Sequence, residues 1–243
     1  MWLALETATD HASVAVGTGG GDAVEEGLTG ARRHAGALLP MIEAVMRRRG
    51  VGLDQVSGVV VSDGPGSFTG LRVGASVAKA LAWSRSLPLW TAPSLVVRAV
   101  GVGALPGSLV LAASDALRGE VYAAAVRVAP GRNRVELAPG VWRPEALAAL
   151  GLAPDVLVGE APPPVAAVLE QCTGLQMIGP PRGRPHAAAL IDLVTTEGGA
   201  EGGAHRVNDV QGWEPEYGRP AEAQARWEIA HGRPLPDSVG GPR

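Results

Sequence analysis

The sequence predicts an α/β protein of two similar lobes, each containing a mixed sheet flanked by helices. Apolar runs of strand length alternate with longer segments of helical period. Their order in the first half of the chain recurs in the second, and in each half the leading strand ends at an acid, Glu6 or Asp115. We expect lobes over residues 1–104 and 105–197, followed by a Gly/Pro-rich tail over 198–243 that lacks its own core.

Three strands open the first half, predicted over residues 2–7, 13–18 and 23–28. Glycines 19–21 permit a tight hairpin between the last two, because glycine adopts positive φ without steric cost. Pro40 lies inside the helix that follows and should kink it, since proline cannot donate a backbone hydrogen bond. The remaining predicted elements of this half are that helix over 32–49, a strand over 56–61, a loop over 63–70, a helix over 71–83, a strand over 87–90 and a helix that Ser94 caps.

The second half repeats this order. Its acid-terminated strand is followed by a second strand, and a turn at 130–133 leads into a third. A repeat of roughly a hundred residues indicates duplicated lobes and not a solenoid. The predicted elements are strands over 109–113, 120–128 and 135–141, a helix opened by Pro144, a strand over 156–158, and helices over 164–171 and 187–196.

The composition of the chain excludes several classes of function. The chain has 243 residues, 46% hydrophobic and 19% charged, which is typical of a globular protein. Its 21 basic and 24 acidic residues give a net charge of −3, so no broad basic footprint for nucleic acid is present. The single cysteine, Cys172, excludes an intramolecular disulfide. The most apolar long window, 95–113, contains Arg98 and Pro106 and is no membrane span. We therefore expect a cytoplasmic protein without membrane contact.

The glycine-rich stretch over 63–74, DGPGSFTGLRVG, is the richest local motif. A loop of this kind before a helix directs free backbone N–H groups at an anion. It is also typical of a tight strand-to-helix turn capped by Ser67 or Thr69, and we favour this commoner use. No Gly-Lys-Ser/Thr follows, which excludes a Walker A loop. The candidate anion or nucleotide contacts are Glu6, Gly66, Ser67, Thr69, Asp115 and Arg118.

Neither a metal centre nor a catalytic residue is predicted. The five histidines never occur at the i, i+4 spacing that places two ligands on one helix face. Glu6 and Asp115 resemble the paired acids around a metal-bound nucleotide. An acid at a strand end also accepts N–H bonds from the next turn, and we favour that structural role for Glu6.

The helix over 32–49 has a wide apolar surface that suggests a partner interface. The alternative is that this helix buries two faces within its own lobe. The same surface is expected to form a homodimer when the partner is missing. The candidate interface residues, which include members of the helix over 71–83, are His34, Leu38, Leu39, Ile42, Val45, Met46, Leu71 and Arg72.

Several segments together resemble the TsaB (YeaZ) family. The most specific is Gly-Pro-Gly-Ser-Phe-Thr-Gly over 64–70, and the resemblance is strongest over residues 1–125. A C-terminal stretch, 214–219, is similar to the family's Pro-x-Tyr-x-Arg element. The supporting segments are 3–9 with 13–15, Arg33-His34 with 38–40, and 115–122.

The resemblance implies an actin-like (ASKHA) fold of two ribonuclease-H-like lobes. It also implies a role in making N6-threonylcarbamoyladenosine at position 37 of tRNA, as a non-catalytic dimerisation subunit beside the catalytic TsaD and the ATPase TsaE. ATP and magnesium would be used by the complex, with no cofactor held tightly by this chain and tRNA reached only through the complex. The alternative function is a free-standing actin-fold ATPase or small-molecule kinase.

Overall fold

The structure, a computed structural model, describes residues 1–30, 34–129, 131–196 and 199–218. Several predicted features lie outside these ranges. They are the start of the first helix (residue 32), Pro130 of the predicted turn, the start of the tail (residue 198) and the tail beyond residue 218. Arg33 and Arg219 of the family segments lie outside them too, as does the side chain of His34.

The first sheet has the strand order β11-β5-β4-β1-β2-β3. β1 pairs antiparallel with β2 and parallel with β4, so the sheet is mixed. Its elements are β1 (Trp2–Glu6), β2 (His11–Gly17), β3 (Ala23–Thr29), α1 (His34–Arg49), β4 (Gly58–Ser62), α2 (Phe68–Arg85), β5 (Leu89–Ala92), α3 (Ser94–Gly101) and, from the C-terminal part, β11 (His205–Arg206).

The second sheet has the order β10-β9-β6-β7-β8, which repeats the order of the first five strands. β6 again pairs antiparallel with the next strand and parallel with β9. The predicted α/β class and the actin-like duplication are confirmed by this topology. The elements are β6 (Leu109–Asp115), β7 (Val121–Arg127), β8 (Arg134–Trp142), α4 (Pro144–Ala148), β9 (Val156–Glu160), α5 (Pro163–Thr173), β10 (Met177–Ile178) and α6 (Ala187–Thr195).

Alternation along β1 shows how the first sheet is buried on both faces. Leu3 and Leu5 contribute to a core with α1 and α2, whereas Ala4 contributes to a core with α3 and α6. Successive side chains of a strand point to opposite faces. A strand covered on both faces therefore becomes a continuous apolar run.

Helices α3 and α6 form a layer between the two sheets. α3 packs on β6 and β7, although it belongs to the first half of the chain, and α6 packs on β1 and β2. The central core accordingly joins Ala4 and Val60 of the first sheet to Val110 and Ala112 of the second. Each half of the chain therefore supplies one helix of this layer to the sheet of the other half. The predicted lobe boundaries stay a prediction.

Three local expectations differ from the structure. α2 begins at Phe68, inside the predicted loop, because the Ser67 hydroxyl caps it by accepting the Gly70 N–H at 3.2 Å. Ser94 does not cap α3: Pro93 is the N-cap residue, and the Ser94 hydroxyl donates to the Pro65 carbonyl instead. The two-residue strands β10 and β11 escaped prediction because they are too short to show alternation.

The described part of the tail folds back onto the first sheet. β11 pairs antiparallel with β5, and Val207, Val210 and Trp213 pack against the core under α1 and α2. We call residues 205–218 the C-terminal strap. Among the described helices, none combines the length and the apolar character needed to span a bilayer.

Candidate functional site

The acids at the ends of β1 and β6 have the same local role. Glu6 Oε1 accepts the N–H of Ala8 at 2.7 Å, and Asp115 Oδ1 accepts the N–H of Leu117 at 2.9 Å. In both lobes the carboxylate therefore accepts the N–H two residues on and shapes the turn. This is the structural role that the sequence favoured for Glu6.

Glu6 is fully buried, and this burial raises the pKa of its carboxyl to about 7. The Ala8 N–H, the Ser62 hydroxyl and the charge of Arg98 act in the opposite direction and only partly offset burial. Its second oxygen, Oε2, has no hydrogen-bond partner among the described residues. A carboxyl in this state carries a proton for much of its time near neutral pH.

A cleft of about 460 Å³ opens beside these strand ends. Among the described residues that line it, three are acidic and none is basic. Three carboxylates repel free phosphates, so the described lining offers no cationic side chain to a nucleotide, whereas carboxylates do suit a metal-bound one. The lining residues are Ala8, Thr9, Asp10, Ser67, Asp115, Glu160, Ala161 and Pro162.

The glycine-rich loop packs directly on the turn that follows β1. The Ser67 N–H donates to the Ala8 carbonyl at 2.7 Å. A Cβ on Gly66 would lie 2.3 Å from that same carbonyl oxygen, and a Cβ on Gly70 would lie 2.1 Å from the Thr7 carbonyl oxygen. Only glycine permits this approach. Together with the Ser67 cap of α2, these contacts direct the N–H groups of Ser67 and Gly70 into the chain itself.

The other side of the loop contacts α3 and the strap. The Ser94 N–H donates to the Gly64 carbonyl, and the Glu216 N–H donates to the Asp63 carbonyl, both at 2.7 Å. Gly64 has φ +113°, and a Cβ there would lie 2.0 Å from the Glu216 carbonyl oxygen. The loop is thus a junction between the β1–β2 turn, α3 and the strap.

The strap lies along the outer side of α2. The rings of Phe68 and Tyr217 have centroids 4.7 Å apart, and the Arg72 guanidinium lies 4.2 Å above the Phe68 ring. Lys79 Nζ donates to the carbonyls of Gln211 and Trp213 at 2.9 and 2.7 Å. The only lysine of the chain therefore holds the strap on this helix.

Substituting Lys79 by methionine will loosen the strap, because two carbonyls lose a charged donor, at a cost of about 2 kcal/mol. Amide exchange of Val207 and Trp213 should accelerate about thirtyfold in that variant. The control is Arg85→Met, at an exposed position in the last turn of the same helix. Equal exchange rates in wild type and Lys79→Met would contradict this role.

The interpretation of excess apolar width on the first helix was wrong. Apart from Leu39, the side chains that suggested it lie in the chain's own core, because α1 packs on the first sheet beside α2. Of the candidate interface residues described, Leu39 is 55% exposed and Arg72 is exposed. The exposed fractions of the buried ones are 1% for Leu38, 5% for Ile42, 0% for Val45, 6% for Met46 and 0% for Leu71.

One exposed residue of α2 was missed. Trp83 is 67% exposed and lies beside Arg72 and Lys79 at a cavity of about 490 Å³ between α2 and the strap. The apolar spacing of the helix did not indicate that Trp83 is exposed. One signal was available: tryptophan is too large a side chain for the small core that an alanine-rich helix forms.

The predicted anion contacts do not converge on one ligand. Ser67 and Asp115 line the acidic cleft, whereas Glu6 is buried beneath it. Thr69 and Arg118 are exposed and do not belong to the described lining. Gly66, the remaining candidate, packs on the turn. In the described part of the chain, no three His, Cys, Asp or Glu side chains are placed to hold a metal ion.

The relatives found by comparison with known proteins agree with one another. The protein-family model of TsaD, described as tRNA N6-adenosine threonylcarbamoyltransferase, matches residues 29–163, more than half of the chain. The tRNA threonylcarbamoyladenosine biosynthesis protein TsaB of Haemophilus influenzae is 39% identical over 49% of this chain and 51% of its own length. The protein of the same name from Escherichia coli is 37% identical over 49% and 52%.

The chain thus spans about half the length of the curated relatives that it matches. The solved structure of YeaZ from Pseudomonas aeruginosa has 28% sequence identity and a TM-score of 0.65, and the match covers 79% of this chain and 89% of that one. The duplicated topology, the glycine-rich junction and these similarities agree. The chain belongs to the tRNA N6-adenosine threonylcarbamoyltransferase family, as a member of its TsaB (YeaZ) group.

Proposed function

We propose that this chain is a non-catalytic subunit in the biosynthesis of N6-threonylcarbamoyladenosine at position 37 of tRNA. It would pair with the catalytic TsaD and act with the ATPase TsaE in the cytoplasm. The names of its relatives support the pathway. The observation that carries the non-catalytic role is the glycine-rich junction, in which the N–H groups of Ser67 and Gly70 serve the chain's own turn and helix cap.

Electrostatics support the same role. A nucleotide needs donors and cations around its phosphates, whereas the described lining of the cleft is acidic. We propose accordingly that ATP and magnesium act elsewhere in the complex. The chain would contribute a surface, and tRNA would be contacted only through the complex.

The partner surface is proposed on the outer sides of α1 and α2. Leu39 on α1 and Trp83 on α2 are large apolar side chains exposed to solvent, and Arg72 lies between Trp83 and the start of α2. Exposed apolar residues with tryptophan and arginine are typical of protein interfaces. The same surface would form the homodimer of the isolated chain.

Leu39→Asp will weaken binding to TsaD about tenfold or more, because it places a charge in a desolvated contact. Binding is measured by calorimetry, and the homodimer by gel filtration with light scattering. The matched control is Leu105→Asp, at a side chain 79% exposed in the loop after α3. Equal losses in both variants, or none in Leu39→Asp, would place the interface elsewhere.

Reconstitution tests the function directly. TsaD, TsaE, ATP, threonylcarbamoyl adenylate as the group donor and a tRNA that reads codons beginning with A are combined with and without this chain, and the modified nucleoside is measured. Product that requires the chain, together with no ATP turnover by the chain alone, is the expected result. ATP binding with turnover by the isolated chain would instead support a free-standing ATPase or kinase.

A further inference from the structure

A third cavity, of about 310 Å³, has the opposite charge from the acidic cleft. It lies where the loop between β10 and α6 meets β2 and β3. Arg182, Arg184 and His186 come from the loop, whereas His11 and Glu25 come from the strands. Two guanidinium groups therefore face a single carboxylate in this lining.

The loop that carries the two arginines is held in place on both sides. A Cβ on Gly183 would lie 2.0 Å from the Ile178 carbonyl oxygen, so the loop backbone approaches β10 closely. Arg98, which is only 3% exposed, donates from its guanidinium to the Gly183 carbonyl at 2.8 Å. Arg182 and Arg184 thus flank a fixed residue, which preorganises their positions.

The carboxylate of the cavity is already engaged. Glu25 Oε1 accepts the N–H groups of Ala187 and Ala188, at 2.7 and 3.3 Å, at the start of α6. Glu25 Oε2 lies 3.3 Å from His186 Nδ1, and this pairing raises the pKa of His186. The negative charge of Glu25 is therefore balanced locally by the imidazole and the helix N-terminus.

The two arginines have no such partner. Neither forms a salt bridge within the described residues. Arg184 donates to the Thr29 hydroxyl at 3.2 Å, but its Nε is buried and has no acceptor in the described part of the chain. Arg182 is exposed at the rim. A buried donor without an acceptor is costly, and an anion at this place would satisfy it.

We propose that this cavity binds a phosphate group, with Arg182 and Arg184 as its ligands. Guanidinium groups match phosphate oxygens in a bidentate geometry. A cavity near the lower end of the usual range, about 300 to 1,000 Å³, suits a phosphate or diphosphate better than a whole nucleotide. The phosphate would come either from a small phosphate compound or from an RNA backbone. The site does not depend on the proposed function.

His11 supplies an internal reporter of binding. Its Nδ1 lies 3.2 Å from the same Thr29 hydroxyl that Arg184 contacts. Burial, and next the charge of Arg184, lower the pKa of His11, while Glu25 and Asp10 raise it and His186 lowers it. A bound phosphate adds negative charge, so the pKa of His11 must rise on binding. A merely structural role of the arginines predicts no such ligand-dependent rise.

The test titrates the full chain with inorganic pyrophosphate and, separately, with a short RNA lacking terminal phosphates. Binding is followed by calorimetry and by the imidazole resonance of His11. Arg182→Gln and Arg184→Gln should each weaken binding about tenfold to a hundredfold, with Arg184→Lys intermediate. The matched control, Arg143→Gln, alters an exposed arginine outside the cavity and should leave affinity unchanged.

Each possible outcome of this test either supports or overturns the proposed phosphate site. Pyrophosphate binding alone identifies a small phosphate compound, and RNA binding lost in Arg182→Gln identifies a backbone phosphate. Dissociation constants above about 1 mM for both probes overturn the proposal. So does equal affinity in wild type and Arg182→Gln, a variant whose side chain is exposed and whose fold is therefore safe.

Discussion

Replacing Gly66 by alanine will lower the free energy of unfolding by about 3 kcal/mol, because the loop and the β1–β2 turn are in backbone contact. The new Cβ would lie 2.3 Å from the Ala8 carbonyl oxygen, and no flexible side chain can give way there. The loop must move, which breaks the Ser67 N–H bond to Ala8. Thermal unfolding should shift downward by about 10 °C.

The control for this prediction is Gly36→Ala. Gly36 lies in α1 and a Cβ there meets nothing within 4 Å, so alanine should stabilise the helix by about 0.5 to 1 kcal/mol. Opposite signs for the two variants are the expected pattern. If Gly66→Ala melted with the wild type, the close approach of loop and turn would not exist in solution. A stable Gly66→Ala variant that lost TsaD binding would point to a direct contact of this loop.

The chain will lose stability as pH rises from about 4.5 to about 7. Burial raises the pKa of both Glu6 and Asp63 to about 7, with the charge of Glu216 adding to the rise at Asp63. The folded state therefore binds more protons than the unfolded state in this window, and each group lowers the free energy of unfolding by about 1.4 kcal/mol per pH unit. The raised pKa of His186 acts in the same direction. Burial acts to raise the pKa of Glu25, but its bond to His186 outweighs burial and lowers the pKa. Protonation of Glu25 therefore destabilises the fold only at lower pH.

Glu6→Gln isolates the contribution of Glu6, because glutamine resembles the protonated carboxyl and does not titrate. Urea unfolding at several pH values should show a flatter dependence, with about 3 kcal/mol of the loss removed. Glu43→Gln, at an exposed position of α1, is the control and should keep the wild-type slope. An unchanged slope in Glu6→Gln would mean that Glu6 is ionised in the folded state.

Periodicity was sufficient to predict the longer strands and their duplication, since sheets buried on both faces leave long apolar runs. It was not sufficient for α1. Leu38 and Ile42 show the same apolar spacing whether they face their own sheet or a partner, so burial could not be assigned without the topology. The acid turn at Glu6 was predictable because the interaction is local.

The glycine-rich junction required information that local pattern lacks. Gly66 contacts Ala8, far away in sequence, and Gly64 contacts Glu216 in the strap. A glycine-rich motif that its own chain packs on both sides has the same amino-acid sequence as one whose backbone is open to an anion. The basic cavity has the same difficulty, because His11 and Arg184 are brought together only when the loop after β10 returns to the first sheet.

The exchange of α3 and α6 between the sheets has a consequence for folding cooperativity. A fragment that ends before β6 would lack α6 and leave Ala4, Ala15 and Val60 open to water, while the complementary fragment would lack α3 beneath Val110 and Ala112. Neither half can complete the central core alone. The two halves must therefore melt in one concerted transition, and any hinge between them is restricted to motions that keep this interlocked pair of helices intact.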